Sequence, residues 1–191
     1  KAFFLEKLYT GRWSGTMDLT EPEAGSDVGA LITSARQLDD GTYAITGNKI
    51  YITSAEYAGC FVVWAVTDPE APKGRGISCF IVDNGLPGIE IGKAEDKMGQ
   101  RGSATNVVSF TDCRVPASAL MGAEGQGFKV AVGELAGGRI GVGSLALGIG
   151  LAAMDYARAY LGPDSTWRAD ALTVSPYLGD DSLTPFVEAA R

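Results

Sequence analysis

The hydrophobic pattern of this chain changes from strand period to helical period near residue 122, and this change limits the possible folds. Residues 12–121 contain six to eight short segments rich in β-branched and aromatic residues, with turn residues between them at roughly even spacing. Residues 124–161 instead repeat apolar side chains at helical spacing. Short strands without helices between them favour a sandwich or barrel over a sheet built from βαβ units. We therefore expect an α+β fold, a β-barrel of two packed sheets followed by a long helix.

The same pattern divides the chain into four parts. Residues 1–11 are predicted to be the end of a helix that Gly11 terminates, and because this helix is too short to be stable alone, it is expected to belong to a larger architecture. Residues 12–121 form the central β-barrel domain, and residues 122–161 form one helix. Residues 162–191 are an atypical tail, with prolines, two adjacent aspartates and no sustained period.

A predicted hairpin lies inside the β-rich part. Residues 42–45 and 50–53 have strand composition, and Gly47 and Asn48 between them are typical turn residues. This pattern predicts two short strands joined by a tight turn.

Glycine is unusually frequent in the helical part, where seven glycines lie between residues 133 and 150. Each costs a helix up to about 1 kcal/mol relative to alanine. They are explained if another backbone or a ligand packs closely against the helix, which predicts a partner helix and a homo-oligomer. The longest uncharged stretch, residues 140–154, is shorter than a bilayer-spanning helix, so no membrane insertion is expected.

Composition excludes several function classes. The net charge is −7 without any basic run, so nucleic acid is not an expected partner. The sequence has no histidine, which excludes Ser-His-Asp and Cys-His catalysis and histidine-ligated metals. Cys60, Cys79 and Cys113 form no CxxC pair, so we expect reduced, buried, inert thiols and no metal site. No signal-peptide pattern opens the sequence, and the expected location is cytoplasmic.

The first candidate segment is MDLTEPEAGSD, residues 17–27. A predicted strand ends at Thr20 and a turn follows at residues 25–27. The Thr20 and Ser26 hydroxyls, with backbone N–H groups, could bind a ring carbonyl or a phosphate. Ordinary turns use the same residues, so the segment alone leaves both interpretations open.

The second and third candidate segments are GNKIYITS, residues 47–54, and GELAGGR, residues 133–139. In the second, Tyr51 either packs in the core or lies against a flat aromatic cofactor, with the Thr53 hydroxyl bonding a ring heteroatom. In the third, Arg139 is either solvated on a glycine-softened helix or faces a phosphorylated or thioester ligand.

Taken together and in order, motifs along residues 1–160 resemble the acyl-CoA dehydrogenase family. One motif would be weak, but an ordered series with sensible spacing is specific. The matching strings are MDLTEPEAGSD (17–27), GNKIYIT (47–53), DKMGQRG (96–102) with FTDCRVP (110–116), GQGF (125–128) and GRI (138–140).

The resemblance implies a fold and a cofactor. This family has an N-terminal helical domain, a central β-barrel and a C-terminal four-helix bundle, with FAD between the barrel and the bundle. By this resemblance residues 1–11 would be the end of the N-terminal helical domain, residues 12–121 the barrel, and residues 122–161 the first helix of the bundle. Thr20 would bond the flavin ring and the Thr53 hydroxyl would approach flavin N5, whereas Ser26 and Arg139 would contact acyl-CoA. The cofactor-binding residues that the resemblance assigns are Met17, Leu19, Thr20, Gly25, Ser26, Tyr51, Ile52 and Thr53.

The resemblance also implies an activity, the oxidation of an acyl-CoA to a trans-2-enoyl-CoA. A carboxylate removes the α proton, which hydrogen bonds to the thioester carbonyl acidify, and no imidazole is needed. Electrons would pass to an electron-transfer flavoprotein, with an oxidase that uses oxygen as the open alternative.

One expected part of the machinery is not found. One branch of the family places the glutamate that acts as catalytic base immediately before the arginine of the first bundle helix, where this chain has Gly138. No catalytic base is assigned, and the likeness ends near residue 161, so we expect an incomplete, catalytically incompetent portion of the enzyme. The alternative is a non-enzymatic β-domain that binds a nucleotide, or a protein partner through the apolar face of helix 128–161.

Overall fold

The structure, a computed structural model, describes residues 2–167 together with Val187. It divides into two compact units, Lys1–Gly133 and Glu134–Arg191. Most of the predicted tail, residues 168–191 apart from Val187, lies outside the described residues.

The predicted change from strands to helix is confirmed in the described residues. A short helix opens the chain, seven strands follow, and a long helix ends the described elements. Their bounds are α1 Ala2–Tyr9, β1 Ser14–Asp18, β2 Ser34–Gln37, β3 Tyr43–Thr53, β4 Ala58–Val66, β5 Ile77–Asp83, β6 Ile89–Ile91, β7 Thr105–Val115 and α2 Gly127–Leu161.

The strands form one open sheet, so the prediction of a barrel made of two packed sheets is wrong. The strand order is β1-β4-β2-β3-β7-β6, and β5 pairs with the other side of β4. β4 runs parallel to β1 and meets β2 in parallel at Ser34 and Val66, whereas the remaining pairs are antiparallel. Closure would require β6 to pair on its outer side, but among the described residues this three-residue strand pairs only with β7.

The core joins strands that are not neighbours in the sheet. Tyr43 on β3 contacts Phe80 on β5, with ring centroids 5.1 Å apart, and Phe61 on β4 contacts Phe110 on β7 at 6.3 Å. The open sheet is therefore bent so that its two halves pack across one hydrophobic cluster.

The three cysteines, all in the described part of the chain, are buried and form no disulfide, which confirms the prediction of buried, reduced thiols. Burial raises the pKa of the Cys113 thiol to about 11, so at neutral pH it is the unreactive thiol form.

The predicted hairpin at residues 47–48 is wrong, because β3 runs unbroken through it. Gly47 lies at a shift in the β3–β7 register, between the pairs Ile45↔Cys113 and Gly47↔Phe110. Its φ is 155°, and Thr33 packs directly against it. The glycine therefore marks a bulge and a close approach inside a strand, the other common use of glycine in sheets.

Replacing Gly47 by alanine is expected to destabilise the protein by roughly 1–3 kcal/mol. An added Cβ would lie 2.4 Å from Thr33 Oγ1 and 2.7 Å from Thr33 Cα, so the backbone must shift. Urea unfolding measures the loss. Gly99→Ala is the matched control, because a Cβ there meets no described atom within 4 Å, and equal losses in both variants would contradict the assignment.

The long helix starts on the sheet. Trp64 Nε1 donates a hydrogen bond to the Gly127 carbonyl at 2.8 Å, and Gly125 N–H donates to Ser78 Oγ at 2.8 Å. These contacts fix the start of α2, and the helix ends at Leu161, before the predicted break at Gly162.

Beyond Gly133 the helix exposes its apolar side chains, Ile140, Val142 and Leu147 among them. An added Cβ at Gly137 would meet no described atom within 4 Å. By length and composition α2 is the one helix in the described residues that could cross a membrane, although core helices of soluble proteins pass the same test. The partner helix, the homo-oligomer and the absence of membrane insertion therefore stay predictions.

Candidate functional site

Two of the candidate segments meet at one place on the sheet. The Ile50 N–H donates a hydrogen bond to the Thr20 carbonyl at 2.9 Å. This contact joins the loop that follows β1 to the middle of β3, although thirty positions separate the two residues in sequence. Thr20 and Tyr51 therefore belong to one local surface.

A second bulge in β3 shapes this surface. The β3–β7 register shifts again between Lys49 and Ile52, and Tyr51 has a φ of 60°. A left-handed backbone is unusual for a bulky aromatic residue and is often found at functional sites. The Tyr51 side chain is 66% exposed, so the alternative that it packs in the core is wrong.

The predicted cofactor-binding residues fall into two groups by burial. The side chains of Leu19 and Ile52 are buried in the core, so only their main-chain atoms can face a ligand. The other six predicted residues are at least partly exposed: Met17, Thr20, Gly25, Ser26, Tyr51 and Thr53.

The exposed hydroxyl groups are available for a ligand. Among the described residues, no hydrogen bond involves the side-chain hydroxyls of Thr20, Ser26 or Thr53. The surface thus offers an aromatic ring with hydroxyl donors and acceptors near the joined segments, and this arrangement suits a flat, polar-edged ring.

The loop that carries Thr20 and Ser26 is shaped by Glu21. The Glu21 and Ala24 backbones exchange two hydrogen bonds, at 3.1 and 3.2 Å, which close a tight turn. The Glu21 carboxylate accepts the N–H groups of Ile32 and Thr33, at 2.6 and 3.0 Å. The loop is therefore tied to the chain that leads into β2.

Sequence reasoning missed the buried charge beneath this loop. Lys49 is 0% exposed and its amino group lies 2.7 Å from the Glu21 carboxylate, itself 2% exposed. Burial lowers the pKa of Lys49, whereas the charges of Glu21 and Asp18 oppose this shift. Burial raises the pKa of Glu21, but Lys49 and the Ile32 amide outweigh it, so the net shift is downward. The sequence feature that could have predicted this buried charge is a lysine inside a strand that otherwise consists of β-forming residues.

Asp18, at the end of β1, is a second buried carboxyl group. Burial raises its pKa to about 7, although a hydrogen bond from Thr16 and the charge of Lys49 act in the opposite direction. Its Oδ2 atom has no hydrogen-bond partner among the described residues. Below neutral pH Asp18 is therefore mostly a neutral carboxyl group.

Asp18→Asn is expected to remove a pH dependence of stability. The folded state keeps a proton on Asp18 up to a pH of about 7, whereas the unfolded chain releases it near pH 3.8. The free energy of unfolding should therefore fall as pH rises between these two values. Above both values, the full loss of stability that ionised Asp18 causes in the folded protein is present.

Urea unfolding at about pH 4, 6 and 8 measures this effect. The stability of Asp18→Asn relative to the unsubstituted protein should rise steadily across the series. Asp39→Asn, at an exposed turn, is the control and should leave the pH dependence unchanged. A constant difference between Asp18→Asn and the unsubstituted protein would contradict the assignment.

A cavity of about 620 Å³ lies near the same loop and was not foreseen. It is bounded by the segment around Leu31 and Arg36 and by the loop that joins β4 to β5, including Pro72 and Lys73. Lys73 forms an exposed ion pair with Asp27, the neighbour of Ser26.

Comparison with known proteins now decides the family. The family described as "Acyl-CoA dehydrogenase, middle domain" matches residues 16–113, which contain both joined segments and the buried charge cluster. This chain belongs to the acyl-CoA dehydrogenase family. The sequence resemblance is thereby confirmed.

Several members of this family are similar to the chain. Acryloyl-CoA reductase (NADH) of Anaerotignum propionicum is 47% identical over 164 residues, 84% of this chain and 41% of that protein. The structure of butyryl-CoA dehydrogenase from Megasphaera elsdenii has a TM-score of 0.82 and 39% identity, over 98% of this chain and 47% of the other.

A further solved structure is described as the electron transferring flavoprotein of Acidaminococcus fermentans. The matching chain has a TM-score of 0.80 and 42% identity, over 87% of this chain and 43% of that one. The chain thus spans less than half the length of the relatives that it matches.

Arg139, which is predicted to contact acyl-CoA, lies on α2 in the second compact unit. Its side chain is exposed, and Gly138 precedes it. The surface around Thr20 and Tyr51 belongs to the other compact unit, so the role of Arg139 in binding acyl-CoA stays a prediction.

Proposed function

We propose that this chain forms the flavin-facing sheet of an FAD-dependent acyl-CoA dehydrogenase, which converts an acyl-CoA thioester into a trans-2-enoyl-CoA. One observation carries the proposal. The left-handed bulge at Tyr51 exposes an aromatic ring on a segment that is hydrogen-bonded to the Thr20 loop, where hydroxyl groups have no partner among the described residues. Membership in the family supports the same reading.

The residues present suit FAD. The Tyr51 ring offers a flat face, and Met17, three residues before Thr20 in sequence, offers a partly exposed apolar contact. The hydroxyls of Thr20 and Thr53 would bond ring heteroatoms, while Gly25 and the main chain of Leu19 and Ile52 line the site. When bound, FAD accepts the hydride from the substrate β carbon.

The substrate would meet other groups of the chain. We propose that Ser26 and Arg139 contact acyl-CoA, Ser26 through its exposed hydroxyl and Arg139 through its charge. Removal of the α proton needs a carboxylate, and hydrogen bonds to the thioester carbonyl make that proton more acidic. No residue of this chain is assigned as the base, and Gly138 has no side chain that could serve.

Partners and location are proposed with the function. The similarity to a chain in the electron transferring flavoprotein structure supports an electron-transfer flavoprotein as acceptor. The apolar side chains of α2 favour a homo-oligomer, in which a second helix would cover them. A cytoplasmic location fits these partners.

FAD titration of the purified chain tests the cofactor site. Flavin fluorescence should be quenched on binding, and Thr20→Val and Thr53→Val should each weaken binding about fivefold, since a hydrogen bond contributes about 1 kcal/mol. Thr111→Val, an exposed threonine on β7, is the matched control. A colourless, stable oligomer that does not bind FAD would contradict the proposal and favour a non-enzymatic β-domain.

Turnover gives a separate prediction. Because no catalytic base is assigned, the 191-residue chain with FAD should not reduce a dye acceptor when acyl-CoA is added. The assay follows dye absorbance, with an active family member as the positive control. Sustained acyl-CoA-dependent reduction by this chain would show that it contains a base.

A further inference from the structure

The ammonium group of Lys49 uses all three of its N–H bonds inside the fold. It donates to the Glu21 carboxylate at 2.7 Å, to the Trp64 carbonyl at 2.7 Å and to the Leu19 carbonyl at 3.3 Å. Trp64 belongs to β4, whereas Leu19 and Glu21 lie on either side of Thr20. One side chain therefore ties the Thr20 loop to a central strand.

The next residue completes the arrangement. Ile50 N–H donates to the Thr20 carbonyl at 2.9 Å. The dipeptide Lys49-Ile50 thus binds three consecutive loop residues, Leu19 by its carbonyl, Thr20 by its carbonyl and Glu21 by its carboxylate. Tyr51 follows immediately, so the same stretch of β3 holds the loop and carries the exposed ring.

Stability alone does not require a charge at this position. A buried ion pair gains attraction but loses hydration, and apolar residues of similar size are often equally stable. Asp18 adds a second carboxyl group beside the single cation, which increases the cost of burial. What an apolar side chain cannot do is donate hydrogen bonds to two backbone carbonyl groups at once.

We propose that Lys49 is a positioning residue, which holds residues 19–21 against β3 so that the Thr20 hydroxyl and the Tyr51 ring form one ligand surface. Lys49 is fully buried, so it acts through the loop rather than on a ligand. The inference rests on the proposed function, because the surface matters as the FAD site.

Two variants separate positioning from general stability. Lys49→Met removes the hydrogen bonds and leaves Glu21 as an unpaired buried charge, so it is expected to lose both stability and FAD affinity. Lys49→Met combined with Glu21→Gln removes both charges, and the Gln side-chain carbonyl still accepts an amide N–H from residues 32–33.

The double variant gives the decisive result. We expect its urea midpoint to return towards that of the unsubstituted protein, whereas FAD affinity stays reduced about tenfold, because the Leu19 carbonyl beside Thr20 has lost its donor and the loop is no longer tied to β4. Recovery of both properties would overturn the inference, since Lys49 would then be only half of an ion pair. Failure of the double variant to fold would also overturn it.

Amide hydrogen exchange without FAD tests the loop independently of any cofactor. Exchange should accelerate at the amides of residue 21 and Ala24 in the double variant and remain slow in the β4–β5 pair. Unchanged exchange at these two amides would overturn the inference. If the unsubstituted chain binds no FAD but the exchange rises as expected, the proposed function fails and the positioning role stands.

Lys97→Met is the matched control. Lys97 is a partly buried lysine of the same sheet unit, and it donates to the Ser103 carbonyl and to Thr105 Oγ1, at 2.9 Å in the second case. Its loss is expected to lower stability while FAD affinity changes less than about twofold. An equal loss of affinity in both lysine variants would overturn the specific role of Lys49.

Discussion

A charged ammonium group without access to water persists in a fold only when its N–H groups find acceptors. The acceptors of Lys49 come from the loop after β1 and from β4, while Lys49 itself lies on β3. Satisfying this single charge therefore fixes three parts of the chain relative to one another. The turn closed by Glu21 and the bulge that exposes Tyr51 both lie next to these contacts.

Much of the fold follows from local patterns, and the exceptions have physical reasons. The apolar runs of β4 and β5 and the helical repeat of α2 predicted those elements well. Gly47 and Asn48 are typical turn residues, but glycine is also common at β-bulges. Only the contact of Gly47 with Thr33 distinguishes the bulge from a hairpin turn. Closure of the sheet depends on pairing between distant edge strands, which no local pattern reports.

The candidate site was predictable to a different extent. Thr20, Ser26 and Tyr51 stand in motifs whose order along the chain indicates the family, so the sequence alone singles them out as candidates. Lys49 lies inside one of the same motifs and was passed over, because burial depends on tertiary packing and lysine is rarely buried. Asp18 was missed for the same reason, since a carboxyl group at a strand end is usually solvated.

The burial of Lys49 also has a chemical consequence. Thioesters acylate amines, and a lysine next to a thioester site is exposed to that side reaction when its amino group is neutral and accessible. The side chain of Lys49 is fully buried and its ammonium group is hydrogen-bonded inside the fold, so none of its surface is open to a thioester. The amine that is proposed to position the loop is thereby protected from the substrate class that the loop is proposed to bind.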